Sequence, residues 1–140
     1  MAHDPSLSSL PPAVIVHLAF ASVALVLGPV ALWARKGSLG HRGFGYAWVT
    51  AMIGAALSAF FIRSTGTFQW AGFSPIHLLA VVTLVGVSAA IYAIARRNIS
   101  AHRKGMQRTY FAGCVTAGLF TLLPGRYLGD LLWHHALGLV

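Results

Sequence analysis

The sequence predicts an all-α polytopic membrane protein: a four-transmembrane-helix bundle built from two parallel two-helix repeats, with a short C-terminal interfacial helix. Three observations carry that prediction. Of the 140 residues, 57% are hydrophobic and only 9% charged, with a mean hydropathy of +0.74; a soluble domain carries about a quarter charged residues. Four apolar runs, at Ala13–Ala34, Phe44–Ile62, Pro75–Ala95 and Met106–Leu123, each approach the ~20 residues that cross ~30 Å of hydrocarbon. The chain also repeats itself. His17-Leu18, Ala34-Arg35 and His41-Arg42 recur at nearly the same spacing as His77-Leu78, Ala95-Arg96 and His102-Arg103. Connections this short leave no room for a soluble domain. The expectation is a single integral membrane domain over residues 1–140, with repeats at 13–63 and 75–126 and a tail at 127–140.

The elements follow in order. Pro11-Pro12 suits the first turn of the first helix, where a missing N–H costs little. Gly28-Pro29 lies deep in that helix and predicts a kink, because proline removes a backbone hydrogen bond. Gly37–Gly43 reads as a tight inner loop. The second run carries Gly45, Ala47, Ala51, Gly54, Ala55 and Ser58, small residues that let helices or a flat cofactor come close. Ser64–Phe73, with Phe68, Trp70 and Phe73, reads as an outer loop with an interfacial aromatic belt. Ser74-Pro75 reads as an N-cap followed by proline at the first helical position. Pro124-Gly125 ends or bends the fourth run. In the tail, Arg126, Asp130 and His134 share one helical face, opposite leucines that suit an interfacial helix.

Charge orients the bundle. Of ten Lys and Arg residues, eight (Arg35, Lys36, Arg42, Arg96, Arg97, Arg103, Lys104 and Arg108) fall at one end of the runs. Arg63, Arg126 and the only two acids, Asp4 and Asp130, fall at the other. Basic connections stay cytoplasmic. The expectation is therefore a bacterial inner-membrane protein with both termini on the outer side and no cleaved signal peptide. The net charge of +8 reads as topology and as attraction to anionic lipid. Without a recognition module it does not point to nucleic acid. The single Cys114 falls in the fourth run, reads as a packing residue and excludes an intrachain disulfide.

Most catalytic constellations are missing. There is no carboxylate pair in the spans, no glycine-rich phosphate loop, no cysteine pair and no H-x-x-x-H zinc helix, which argues against a hydrolase or metalloprotease. Histidine remains, and polar residues within a membrane are candidate functional sites. The repeat sets His17 and His77 at the outer level, with Arg63 and Arg126, and His41 and His102 at the inner level, with Arg42 and Arg103. Two imidazoles from facing helices suit haem iron, and the arginines suit its propionates. The leading expectation is thus a haem b protein, or a quinone-reactive one, using His17 and His77 as iron ligands. The structural alternatives stand beside it: hydrogen-bonded packing histidines at the outer level, interfacial residues at the inner level, and arginines that snorkel to headgroups. A second class is a metal-free module that binds or transports a small anion, lipid or quinone headgroup. A third is an accessory subunit packed against a larger complex, a redox partner protein or a second copy of itself. His134-His135 with Asp130 forms a weaker surface metal candidate.

The motifs S-P-I-H-L-L at Ser74–Leu79, A-R-R-N at Ala95–Asn98, A-H-R-K-G-M at Ala101–Met106, G-L-F-T-L-L-P-G-R at Gly118–Arg126 and H-R-G-F-G at His41–Gly45 resemble a family of small bacterial predicted membrane proteins of unknown function, DUF2306. The resemblance runs from about His17 to Trp133 and implies a four-span inner-membrane protein without implying a reaction. The arrangement of histidines on alternate helices is similar to that of the di-haem transmembrane cytochromes b, in architecture and not in sequence motif.

Overall fold

In a computed structural model of the chain, residues 10–62 and 73–122 are described, with isolated positions 129 and 138. Most of the described residues are helical. Helix α1 spans Pro12–Trp33, α2 Leu39–Ala59 and α3 Pro75–Ala95. A fourth rod begins as α4 (Ile99–Thr109), passes through a π-helical segment (Tyr110–Val115) and ends as α5 (Thr116–Thr121). Two helices, α1 and α3, are long and apolar enough to cross a membrane by length and composition. Helices α2 and α4 begin in polar, basic sequence, which lowers their apolarity.

The start of α1 at Pro12 and the Ser74-Pro75 start of α3 agree with the sequence reading. The other two starts are corrected. Helix α2 begins at Leu39, inside the stretch read as a loop, because the Ser38 hydroxyl accepts the His41 backbone N–H at 3.1 Å. Helix α4 begins at Ile99, ahead of the apolar run, because the Asn98 side chain accepts the Ala101 N–H at 3.0 Å. Such caps satisfy the orphan donors of a first turn. They bring His41 and His102 within helices. Arg97 takes the left-handed conformation at φ 58°. The Asn98 and Arg97 N–H groups return to Ala93 O and Ile94 O and close α3, the pattern of a Schellman stop.

The helices pack in chain order, α1 on α2, α2 on α3 and α3 on α4, and the π segment returns to touch α1. Small residues set the approaches. A Cβ on Gly54 of α2 would lie 2.8 Å from the Phe20 ring of α1. A Cβ on Gly86 of α3 would lie 2.6 Å from Thr109 Oγ1, and one on Gly105 of α4 would lie 3.0 Å from Ala90 Cβ. Close backbone contact of this kind drives helix association where lipid removes any hydrophobic preference between helices. Every rod contributes to one core of Ala24, Trp48, Ala51, Met52, Val87 and Tyr110, with the half-buried Cys114 against it. The Cys114 thiol donates to Met52 Sδ at 3.2 Å, so the cysteine packs as expected. A second cluster joins Ala56 and Ala59 of α2 to Ala80 of α3. Outward faces stay apolar, with Val26 67%, Leu78 68% and Val85 62% exposed, a pattern suited to lipid and not to water.

The Gly28-Pro29 pair does more than interrupt α1, which runs on through Pro29 to Trp33. Proline lacks the N–H that would bond the carbonyl four residues back, that of Leu25. The Tyr110 hydroxyl donates to that carbonyl at 3.3 Å. Its ring lies over Gly28, where a Cβ would come within 2.2 Å of Tyr110 Cε2. Trp48 borders the same spot, its ring centroid 6.4 Å from that of Tyr110. The buried Trp48 Nε1 has no hydrogen-bond partner among the described residues. Gly28→Ala should therefore destabilise the fold by about 1–3 kcal/mol through overpacking, and Tyr110→Phe by about 0.5–1.5 kcal/mol through the lost hydrogen bond. Denaturant unfolding in detergent micelles measures both, and Gly28→Ala should be the larger loss.

Candidate functional site

The four histidines of the repeat all bond through Nδ1, but not alike. At the start of α2, His41 Nδ1 lies 2.9 Å from Ala31 O of α1. At the start of α4, His102 Nδ1 lies 2.9 Å from Ala90 O of α3. A carbonyl can only accept, so each Nδ1 carries the hydrogen and each Nε2 presents a lone pair. Each histidine thus staples the second helix of a hairpin to the end of the first. Ala31 O also receives Lys36 Nζ at 3.4 Å, and Lys36 Nζ donates to Leu32 O as well. These are last-turn carbonyls without helical partners, so a lysine there serves as a C-terminal cap.

At the other end the two copies differ. His17, in the second turn of α1, lies with Nδ1 2.7 Å from Ala55 O and 3.2 Å from Ser58 Oγ of α2. The Ser58 hydroxyl donates to the same carbonyl at 2.9 Å. His17 thus has a protonated Nδ1 and a lone pair on Nε2, like the inner histidines. His77 has the opposite polarity. Its Nδ1 accepts the Ser74 backbone N–H at 3.2 Å and lies 3.0 Å from Ser74 Oγ, so the neutral ring carries its hydrogen on Nε2. His77 is 8% exposed and sits between two rings, Phe60 at 5.9 Å and Phe73 at 5.8 Å. It caps its own helix. Both outer histidines lie against the last turns of α2, on α1 and α3, which flank it.

The structure therefore brings His17, Ser58 and Ala55 together, and separately His77, Ser74, Phe60 and Phe73. Arg63 and Arg126 lie outside the described residues, as do Phe68, Trp70, Pro124-Gly125 and the tail with Asp130, His134 and His135. Among the described residues no group of three or more His, Cys, Asp or Glu side chains could hold a metal ion; a bis-imidazole site needs only two. Beside His17 an open apolar groove runs between α1 and α2, lined by Val16, Phe20, Leu57, Ser58 and Phe61 among others. Sequence reasoning missed Ser58 as the partner of His17 and Ser74 as the partner of His77. The Ser74-Pro75 cap signal contained the second. Nothing local signalled the first.

If the inner histidines are staples, His41→Ala and His102→Ala should each cost about 0.5–1.5 kcal/mol of stability, and His41→Asn should recover part of the loss by donating an amide N–H to Ala31 O. Thermal unfolding of the purified variants in one detergent checks this; an unchanged midpoint for both alanine variants contradicts it.

The family model described as "Predicted membrane protein (DUF2306)" matches residues 14–136 of the chain. No curated protein and no solved structure matches it.

Proposed function

The chain belongs to the DUF2306 family of predicted membrane proteins, and from that premise we propose a four-span inner-membrane protein, both termini outside, that binds haem b through histidine Nε2 atoms and carries electrons. The observation behind this reading is the matched pair His41 and His102. Both donate Nδ1–H to a carbonyl of the preceding helix at 2.9 Å, Ala31 O in the last turn of α1 and Ala90 O within α3. A second-shell acceptor on Nδ1 fixes the tautomer and ring plane of a ligating histidine and raises its basicity. The likeness of the two bonds, each from the first turn of one helix to the helix before it, is in keeping with two parallel repeats, and alternate helices supply the two donors.

The donor chemistry favours the inner pair over the outer one. His17 has the ligand tautomer. His77 does not, because its lone pair on Nδ1 is engaged by the Ser74 N–H and ligation through Nε2 would sacrifice that cap. In this reading His41 and His102 come first, and His17 and His77, with Arg63 and Arg126 on the propionates, stand as the second candidate pair. A bound haem would supply one-electron chemistry, with its potential tuned by burial and hydrogen bonding. The protein's part is to hold two imidazoles in fixed planes and keep bulk water from them. A quinone in the bilayer, or a redox partner protein, is the electron donor or acceptor this reading asks for.

A second reading rests on the groove beside His17. Its apolar walls and the Ser58 hydroxyl, which lies 3.2 Å from His17 Nδ1, suit a quinone or lipid headgroup, with no metal involved. Under this reading His17→Ala removes the thermal stabilisation that a soluble quinone analogue gives the wild type.

For haem, protein purified without chelator from haem-replete cells should show a Soret band that shifts on reduction. His41→Ala or His102→Ala should abolish it, and His77→Gln should leave it. A colourless protein that takes up no haem on titration overturns the proposal.

A further inference from the structure

The described residues hold eight Lys and Arg side chains between Arg35 and Arg108 and no acid, since the chain's two acids are Asp4 and Asp130. Internal ion pairing cannot neutralise these cations. Two of them, Lys36 and Arg103, feel each other's charge across the seam between the hairpins. The contacts of His17 with Ala55 and of His41 with Ala31 make α1 and α2 antiparallel; those of His77 with Phe60 do the same for α2 and α3, and that of His102 with Ala90 for α3 and α4. The fourth rod therefore runs antiparallel to α1, to which Tyr110 joins it at Gly28 and Leu25. Arg103 lies two turns before Tyr110 on the same helical face, ~10 Å along the rod, and Lys36 lies just past the end of α1 with its Nζ on the carbonyls of Ala31 and Leu32, beyond Gly28 in the same direction. The two cations arrive together at the end of the seam.

The electrostatics agree. Burial first, and the charge of Arg103 second, hold the Lys36 ammonium below the ordinary lysine value. The ammonium cannot swing away without cost, because it caps the carbonyls of Ala31 and Leu32. A cap on the first hairpin is thus held against a like charge on the second, and both side chains are exposed at the end of the bundle.

We propose that Lys36 and Arg103 together bind a phosphate group at this seam, contributed by the headgroup of an anionic phospholipid in the adjoining leaflet. A guanidinium takes two phosphate oxygens in parallel, and an ammonium takes a third as a point charge. One phosphate thereby converts the repulsion across the seam into a bridge between hairpins. The site uses neither the Nε2 atoms of His41 and His102 nor the outer groove, so it does not depend on the haem reading.

The full-length protein is reconstituted in nanodiscs of phosphatidylcholine, with and without phosphatidylglycerol, and its melting temperature is compared. A parallel arm adds inorganic phosphate to protein in phosphatidylcholine alone. Phosphatidylglycerol should raise the melting temperature of the wild type. Lys36→Gln and Arg103→Gln should each weaken the apparent lipid affinity about fivefold. Lys36→Arg should preserve it, and Arg97→Gln, at the same end but off the seam, should leave it unchanged. Because each variant is compared with itself in the two lipids, any stability lost with the Lys36 cap cancels. Equal losses in Arg97→Gln and the seam variants would mean diffuse attraction and overturn the site. A full effect from inorganic phosphate would overturn the lipid as its source. No lipid response in the wild type would overturn the proposal entirely.

Discussion

A carbonyl deprived of its helical partner governs how these helices come together. Pro29 has no N–H to give Leu25, and an unmet carbonyl in hydrocarbon is costly. The partner comes from the far end of the chain, the hydroxyl of Tyr110. Gly28 makes the approach possible by leaving room for the ring, and the π segment begins at Tyr110 itself. The sequential contacts of the other helices build two hairpins and join them along one side. The tyrosine contact joins them along the other. It closes the packing around Trp48, Ala51, Met52 and Val87.

Much of this was legible in the sequence, and the parts that were not share a cause. The starts of α1 and α3 were readable because proline and a long apolar run coincide there. The starts of α2 and α4 were read too late because hydropathy reports where a chain becomes apolar, whereas a helix begins where a cap satisfies its first N–H groups. Ser38 and Asn98 do that within basic sequence. Gly28-Pro29 was legible as an irregularity, but its use depends on a residue far away in sequence. The π segment left no local sign, since its residues read as ordinary helix formers and small residues.

The same limit applies to the histidines. Their pairing was visible as a repeated pattern, and for His41 and His102 it carries through to similar hydrogen bonds, each from Nδ1 to a carbonyl of the preceding helix. Which nitrogen carries the hydrogen depends on whether the neighbour is a carbonyl or an amide N–H, and that is a property of the fold. His17 faces a carbonyl and a serine on α2. The second copy also has a hydroxyl bonded to a carbonyl three residues back, Thr121 to Gly118 O at 2.7 Å, yet His77 is engaged by its own cap. Equivalent letters thus acquire different chemistry because their surroundings diverged.

The π segment from Tyr110 to Val115 has a further consequence. A π turn accommodates an extra residue, and everything beyond it is rotated by roughly 100° relative to a regular α-helix. The first hairpin has no counterpart, since α2 is α-helical from Leu39 to Ala59. Before the turn, His102 reaches the preceding helix through Nδ1 as His41 does. Residues after it present a different face. Two stretches of similar sequence thereby present different faces beyond this point, one continuing as plain α-helix and the other turned by its extra residue.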